Sequence, residues 1–225
     1  MNVKATIVFV SFALVYLTTL PLAPYASQFL PKAIPIGVLA VIAYVKLDAM
    51  PRYMVLTALL CSLAGDISLA LPIADSFIIG LSCFFLAHLA YAVCFASLHR
   101  YKRKTPTSDI ISRKVKWLVS IVIVSFAAIM AAHILPASKA LCYPVVAYIS
   151  VITLMGMTAV WLAQTKLIVT GALLFVISDA ILAQSVFKTP LPLSTFWVMT
   201  TYYGAQYCLT VGLINMFLRK EHKQN

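Results

Sequence analysis

Leu59-Leu60-Cys61-Ser62-Leu63-Ala64-Gly65-Asp66-Ile67-Ser68-Leu69-Ala70 sets one carboxylate in a run that is otherwise almost wholly apolar. A second stretch repeats the arrangement: Ala172-Leu173-Leu174-Phe175-Val176-Ile177-Ser178-Asp179-Ala180-Ile181-Leu182-Ala183. Apolar runs recur from end to end, close to the ~20 residues an α-helix needs to cross a bilayer. With 63% apolar residues among 225, the chain lies far from the composition of soluble domains. The sequence therefore predicts an all-α, polytopic membrane protein, a single integral membrane domain over residues 1–225. Eight transmembrane helices are expected near 5–23, 30–46, 53–72, 76–98, 115–135, 140–163, 166–186 and 193–217. Lys4 ahead of the first span resembles a signal-peptide start, but Pro24-Tyr25-Ala26 makes a poor cleavage site, so this span is read as a helix.

An acid at mid-depth in a bilayer costs roughly 2.5–3.5 kcal/mol on insertion scales. The chain has only six acidic residues, and two of them are placed this way. Asp66 and Asp179 are accordingly the candidate working pair.

Charge tests the span count independently. With both termini cytoplasmic, all seventeen lysines and arginines fall on inner segments except Lys32, Lys139 and Lys188. That is a strong positive-inside bias, which one missed or extra helix would scramble. It also accounts for the net charge of +11 without nucleic acid. The densest run, in the basic cytoplasmic loop 99–116, suits anionic headgroups of membrane lipid and lacks the repeated aromatic interleaving of a nucleic-acid site.

Cys61, Cys83, Cys94, Cys142 and Cys208 all fall inside expected helices with no CxxC spacing, so they read as small hydrophobes rather than a disulfide framework. His99 and His222 belong to polar inner segments and His133 to an outer helix end, which leaves His88 without a neighbouring ligand of its own kind. No metal, haem, flavin or nucleotide cofactor is expected.

Spans 1–4 and 5–8 flank the basic loop, and span 3 matches span 7 around the two acids, which suggests a 4+4 pseudo-repeat related by an axis along the membrane normal. Both acids then lie about five to seven residues from the outer helix end, roughly 8–10 Å deep. Other polar residues gather near that depth. Gly80, Phe84, His88 and Tyr91 recur on one face of span 4, and Tyr203 and Gln206 share a face of span 8. Lys32 opens span 2, Ser62 lies one turn before Asp66, and Ser178 directly precedes Asp179. Each has a bland alternative. Membrane serines usually bond their own helix, tyrosines pack, a buried histidine can make a structural interhelical bond, and a lysine near the interface snorkels.

In this order, Lys32 with Pro35, Ser62 to Asp66, Gly80 to Tyr91, Gly171 to Asp179 and Tyr203 to Gln206 resemble the YhhN-like lysoplasmalogenase family over the whole chain. The resemblance implies an integral membrane hydrolase acting on a lysophospholipid. Such enzymes cleave the vinyl ether bond of lysoplasmalogens to a fatty aldehyde and a glycerophospho-headgroup. The residues suit that chemistry. Proton transfer to carbon generates an oxocarbenium ion, water adds, and the hemiacetal collapses. The first step needs a carboxylic acid and the second a carboxylate, and two carboxyls in a site of low dielectric supply both forms. On this reading Lys32 meets the substrate phosphate, while His88, Tyr91, Tyr203 and Gln206 hold water, orient the acids or bind the glycerol hydroxyl. Headgroup preference, choline or ethanolamine, is not encoded in these motifs, nor is the oligomeric state.

Paired carboxylates at equal depth also describe a proton- or cation-coupled carrier. Against this, neither acid sits at a strong Gly/Pro break, and the inner halves of spans 3 and 7 are almost wholly apolar. A non-catalytic lipid sensor with a polar core is the third reading. Loss of hydrolysis on Asp66→Asn with binding retained separates the enzyme from both. The expected location is an integral membrane one: the inner membrane for a bacterial source, an endomembrane for a eukaryotic one.

Overall fold

The computed structural model describes residues 3–25, 27–102, 111–163 and 165–221. Residues 103–110 of the expected basic loop, and His222 in the C-terminal tail, lie outside the described residues. Those described are helical throughout their ordered elements, with no strand among them: α1 (Val3–Thr19), α2 (Phe29–Lys46), α3 (Ala49–Ala70), α4 (Ser76–Lys102), α5 (Arg113–Ser138), α6 (Cys142–Thr158), α7 (Lys166–Phe187) and α8 (Ser194–Glu221). Each begins within a few residues of an expected span. Among the described residues, six helical runs are long and apolar enough to cross a membrane: Val3–Leu22, Phe29–Lys46, Ala49–Ala70, Ser76–Leu98, Arg113–Ala163 and Lys166–Phe187. The fifth is 51 residues long and contains both α5 and α6. The chain is an integral membrane protein.

Burial is arranged for lipid rather than water. Leu118, Ile121, Val122 and Ile129 of α5 and Val41 and Val45 of α2 stand exposed. The buried positions, by contrast, include Ser62, Asp66, His88, Gln206 and Thr210. A soluble protein would invert this pattern.

The described residues form two compact units, one of Met1–Cys94 with Thr210–Asn225, the other of Phe95–Leu209. The boundaries fall inside α4 and α8. In the first unit, α2 and α3 make a tight antiparallel hairpin. Arg52 closes it: Nε donates to the Leu47 carbonyl at 2.6 Å, Nη2 pairs with Asp48 Oδ1 at 2.6 Å, and the guanidinium stacks 4.6 Å from the Tyr44 ring centre. Where α3 meets α4, two glycines allow close approach. A Cβ on Gly65 would fall 2.7 Å from the Phe84 ring, and one on Gly80 would fall 2.6 Å from Leu69.

In the second unit, Pro136 near the end of α5 removes a helical donor, and Lys139, at φ 45°, turns the chain into α6. A π-helical turn, Ala159–Ala163, ends α6. It sets Trp161 edge-on to Trp117 at 5.1 Å, with the indole Nε1 donating to Ser120 Oγ at 2.8 Å. Ile111, Ile123, Val160 and Val169 fill the space beside it. Ser112 and Thr165 then cap α5 and α7 by accepting from the Val115 and Ile168 amides.

Candidate active site

Each acid has a defined partner, one in each unit. In the first unit, the α2–α3 hairpin brings Lys32, near the start of α2, level with Asp66, near the end of α3. Lys32 lies 14 residues and Asp66 17 residues from the connection, roughly 21–26 Å along their helices. Lys32 Nζ and Asp66 Oδ1 form an ion pair at 3.6 Å, and both residues are buried. The sequence reading sent Lys32 to a substrate phosphate; the structure brings its ammonium to Asp66. Tyr16 of α1, also buried, lies within electrostatic range of the same carboxylate. Nearby, Thr19 Oγ1 and Tyr25 OH share a hydrogen bond at 3.0 Å.

Ser62, fully buried, donates to the Ala58 carbonyl at 2.9 Å, one turn back in its own helix. Its hydroxyl is thereby committed to the backbone. His88 and Tyr91 are fully buried on α4, on the same side as Phe84, whose ring covers Gly65 beside Asp66. Tyr91 has Thr210 of α8 beside it.

In the second unit, Asp179 of α7 accepts a hydrogen bond on Oδ2 from the Tyr148 hydroxyl of α6 at 2.6 Å. Ser178 donates to the Val198 carbonyl of α8 at 3.0 Å, tying α7 to α8 next to the acid. That contact continues at Gly171, where an added Cβ would meet the Ala205 carbonyl oxygen and Cys208 Cβ at 3.0 Å. Tyr203 and Gln206 are buried on α8, with Tyr202 packed edge-on against Phe175 at 5.4 Å.

Sequence reasoning passed over Tyr16 and Tyr148. The available signal was weak: each is a tyrosine inside an apolar run, and such residues are common near membrane interfaces. Among the described residues, no three His, Cys, Asp or Glu side chains gather so as to hold a metal ion, and none of the five cysteines forms a disulfide.

The arrangement offers a buried carboxylate–ammonium pair and a carboxyl with one oxygen held by a phenol. Both are groups for proton transfer and charge stabilisation in a dry setting.

Comparison with known proteins bears on what such groups act upon. Lysoplasmalogenase TMEM86B of Homo sapiens is 33% identical over 160 residues, covering 70% of this chain and 62% of the human protein. Lysoplasmalogenase TMEM86B of Sus scrofa is 32% identical, covering 69% and 61% respectively. Lysoplasmalogenase TMEM86A of Bos taurus is 26% identical, covering 71% and 65%. The chain thus spans somewhat under two thirds of the length of these relatives. No solved structure matches it. Residues 27–213 match the YhhN family, a range that takes in both aspartates and every partner described above except Tyr16, Thr19 and Tyr25, and the chain belongs to that family.

Proposed function

We propose that this chain hydrolyses the vinyl ether bond of a lysoplasmalogen, releasing a fatty aldehyde and a glycerophospho-headgroup. The observation that carries the reading is the buried Lys32–Asp66 ion pair in a chain whose relatives bear the name lysoplasmalogenase. A charge pair in a membrane interior is expensive to maintain and marks a working site by default.

In this reading Asp66 and Asp179 supply the acid and the carboxylate for protonation of the vinyl carbon, capture of water and collapse of the hemiacetal. Lys32 balances the Asp66 charge and presents a positive point charge to the substrate phosphate. His88, Tyr91, Tyr203 and Gln206 hold water or the glycerol hydroxyl. Ser62 and Ser178 support the acids through the backbone bonds they make. The single tail of the substrate runs along apolar side chains towards the bilayer.

The reading includes a single membrane domain crossing the bilayer eight times, with both termini cytoplasmic and two four-helix halves in pseudo-repeat. Its support is the charge asymmetry of the loops and the placement of α1–α8. The substrate is a lysophospholipid drawn from the membrane.

The test is to supply purified protein with a 1-alkenyl lysophospholipid and, separately, with its 1-acyl counterpart. Aldehyde from the first and no fatty acid from the second is the expected result. Turnover of the ester alone, or of neither, rejects the reading.

A further inference from the structure

From Arg113 onward the basic run belongs to the first turns of α5, and the fold brings Lys166, at the start of α7, to the same end of the second unit. The cluster of Ile111, Ile123, Val160 and Val169 joins them: Arg113 follows Ile111 by two residues, and Lys166 precedes Val169 by one turn. Arg113, Lys114, Lys116 and Lys166 thus flank one small apolar core. Between Asp75 and Asp179 the sequence has a single acid, Asp109, which lies outside the described residues. Asp179 itself is 13 residues along α7 from Lys166, roughly 20 Å away. Among the described residues, the exposed Arg113, Lys114 and Lys166 form no ion pair, whereas Arg52 at the α2–α3 turn is taken up by Asp48. Lys116 is buried, with its ammonium 6.0 Å from the centre of the Trp161 ring. Trp161 is fixed in turn by Ser120 and stands edge-on to Trp117, which is exposed. Further along the same face of α5 come exposed aliphatic side chains: Ile121 and Val124 beyond Arg113 and Trp117, Leu118 and Val122 beyond Lys114. Cation, indole and aliphatic track follow one another in the order in which a phospholipid presents phosphate, glycerol region and chain.

We propose that this end of α5, the π-turn and α7 is a binding site for an anionic phospholipid of the surrounding bilayer. Its headgroup is held by Arg113, Lys114 and Lys166, and its chain lies along Trp117, Leu118 and Ile121. Charge selects the ligand: a zwitterionic headgroup carries a cation of its own, which the cluster repels, so the lipid bears net negative charge. Lys116, held over Trp161, adds a fixed positive charge beneath the exposed three. The helix ends contribute less, because Ser112 and Thr165 already accept from the Val115 and Ile168 amides. A free anion such as phosphate would meet the same cations but gains nothing from the apolar track that leads away from them. The site lies at the opposite end of α7 from Asp179 and stands independently of the hydrolase reading.

The test uses the full-length protein with Trp197→Phe, in phosphatidylcholine nanodiscs. The two remaining indoles, Trp117 and Trp161, then both belong to the site. Brominated chains, which quench indole fluorescence on contact, are introduced either on phosphatidylglycerol or on phosphatidylcholine. Quenching should reach its midpoint at a mole fraction at least about fivefold lower for the glycerol lipid, on the scale of one cation near an anionic surface. Lys166→Gln should weaken that preference about fivefold, and Arg113→Gln with Lys114→Gln should do so further. Lys166→Arg should keep it, as should Lys188→Gln at the far end of α7. Added inorganic phosphate should leave the quenching unchanged. Equal quenching by the two lipids overturns the proposal, and so does a preference that survives both sets of glutamine variants or is equally lost in Lys188→Gln. Displacement by inorganic phosphate overturns it in favour of a free-anion site. If the double glutamine variant does not insert, Lys166→Gln and the two-lipid comparison still decide.

Discussion

Lys32 Nζ lies 3.6 Å from Asp66 Oδ1, with the two side chains only 11% and 2% exposed. Neither charge is well solvated, so each depends on the other. Removing one member of a buried pair typically destabilises a protein by about 3–5 kcal/mol, whereas replacing both with apolar groups of similar volume is often neutral. Lys32→Met should therefore lower the thermal midpoint in detergent by several degrees. Lys32→Met combined with Asp66→Leu should recover most of that loss without recovering activity. Equal midpoints for wild type and Lys32→Met would show that the pair contributes nothing to stability.

Three helical glycines should respond differently to the same substitution. At Gly171 a Cβ would press on Ala205 O, Cys208 Cβ and Leu209 Cγ at 2.9–3.0 Å, two of them firmly held. Overpacking of this kind costs about 1–3 kcal/mol. At Gly156 the nearest atom is Ile123 Cδ1 at 3.4 Å, and at Gly37 it is Leu63 Cδ1 at 3.9 Å. Thermal unfolding should rank the alanine variants with Gly171→Ala clearly the least stable and Gly37→Ala close to wild type. A reversed order would contradict the α7–α8 packing.

The two serines beside the acids should separate as well. Ser62 bonds its own helix, so Ser62→Ala should leave stability close to wild type. Ser178 bridges α7 to the Val198 carbonyl, so Ser178→Ala should cost about 0.6 kcal/mol, the average for hydrogen bonds between membrane helices. Both are read out by unfolding midpoints, with aldehyde release measured alongside.

Topology has its own test. In a cysteine-free background, Thr189→Cys should react with a membrane-impermeant maleimide added to sealed, right-side-out vesicles. Thr107→Cys should react only after the membrane is opened. Labelling of both from one side would break the eight-crossing arrangement that the loop charges predict.

Helix positions were legible in the sequence because a bilayer demands continuous apolar runs of fixed length, and α1–α8 begin close to where those runs begin. Asp66 stood out for a similar reason, since a carboxylate in such a run needs an explanation. Its partner did not. Lys32 at the start of a span reads equally well as a snorkelling lysine, and it is the pairing of α2 with α3 that sets it level with Asp66. Tyr148 was hidden more deeply. Its bond to Asp179 spans 31 positions and reaches across the π-turn at Ala159–Ala163, whose sequence Ala-Val-Trp-Leu-Ala carries no breaker. The use proposed for these groups is a matter of chemistry on a substrate, which neither spacing nor burial records.

The most direct measurement is aldehyde release from a lysoplasmalogen by purified wild type, Asp66→Asn and Asp179→Asn, each first shown to be folded by its unfolding transition. The account predicts long-chain aldehyde from wild type and a loss of at least about 100-fold in each variant, the scale of general acid–base catalysis. Near-wild-type release from either folded variant would contradict the role given to that acid, and a folded wild type that releases none would bring the carrier reading forward.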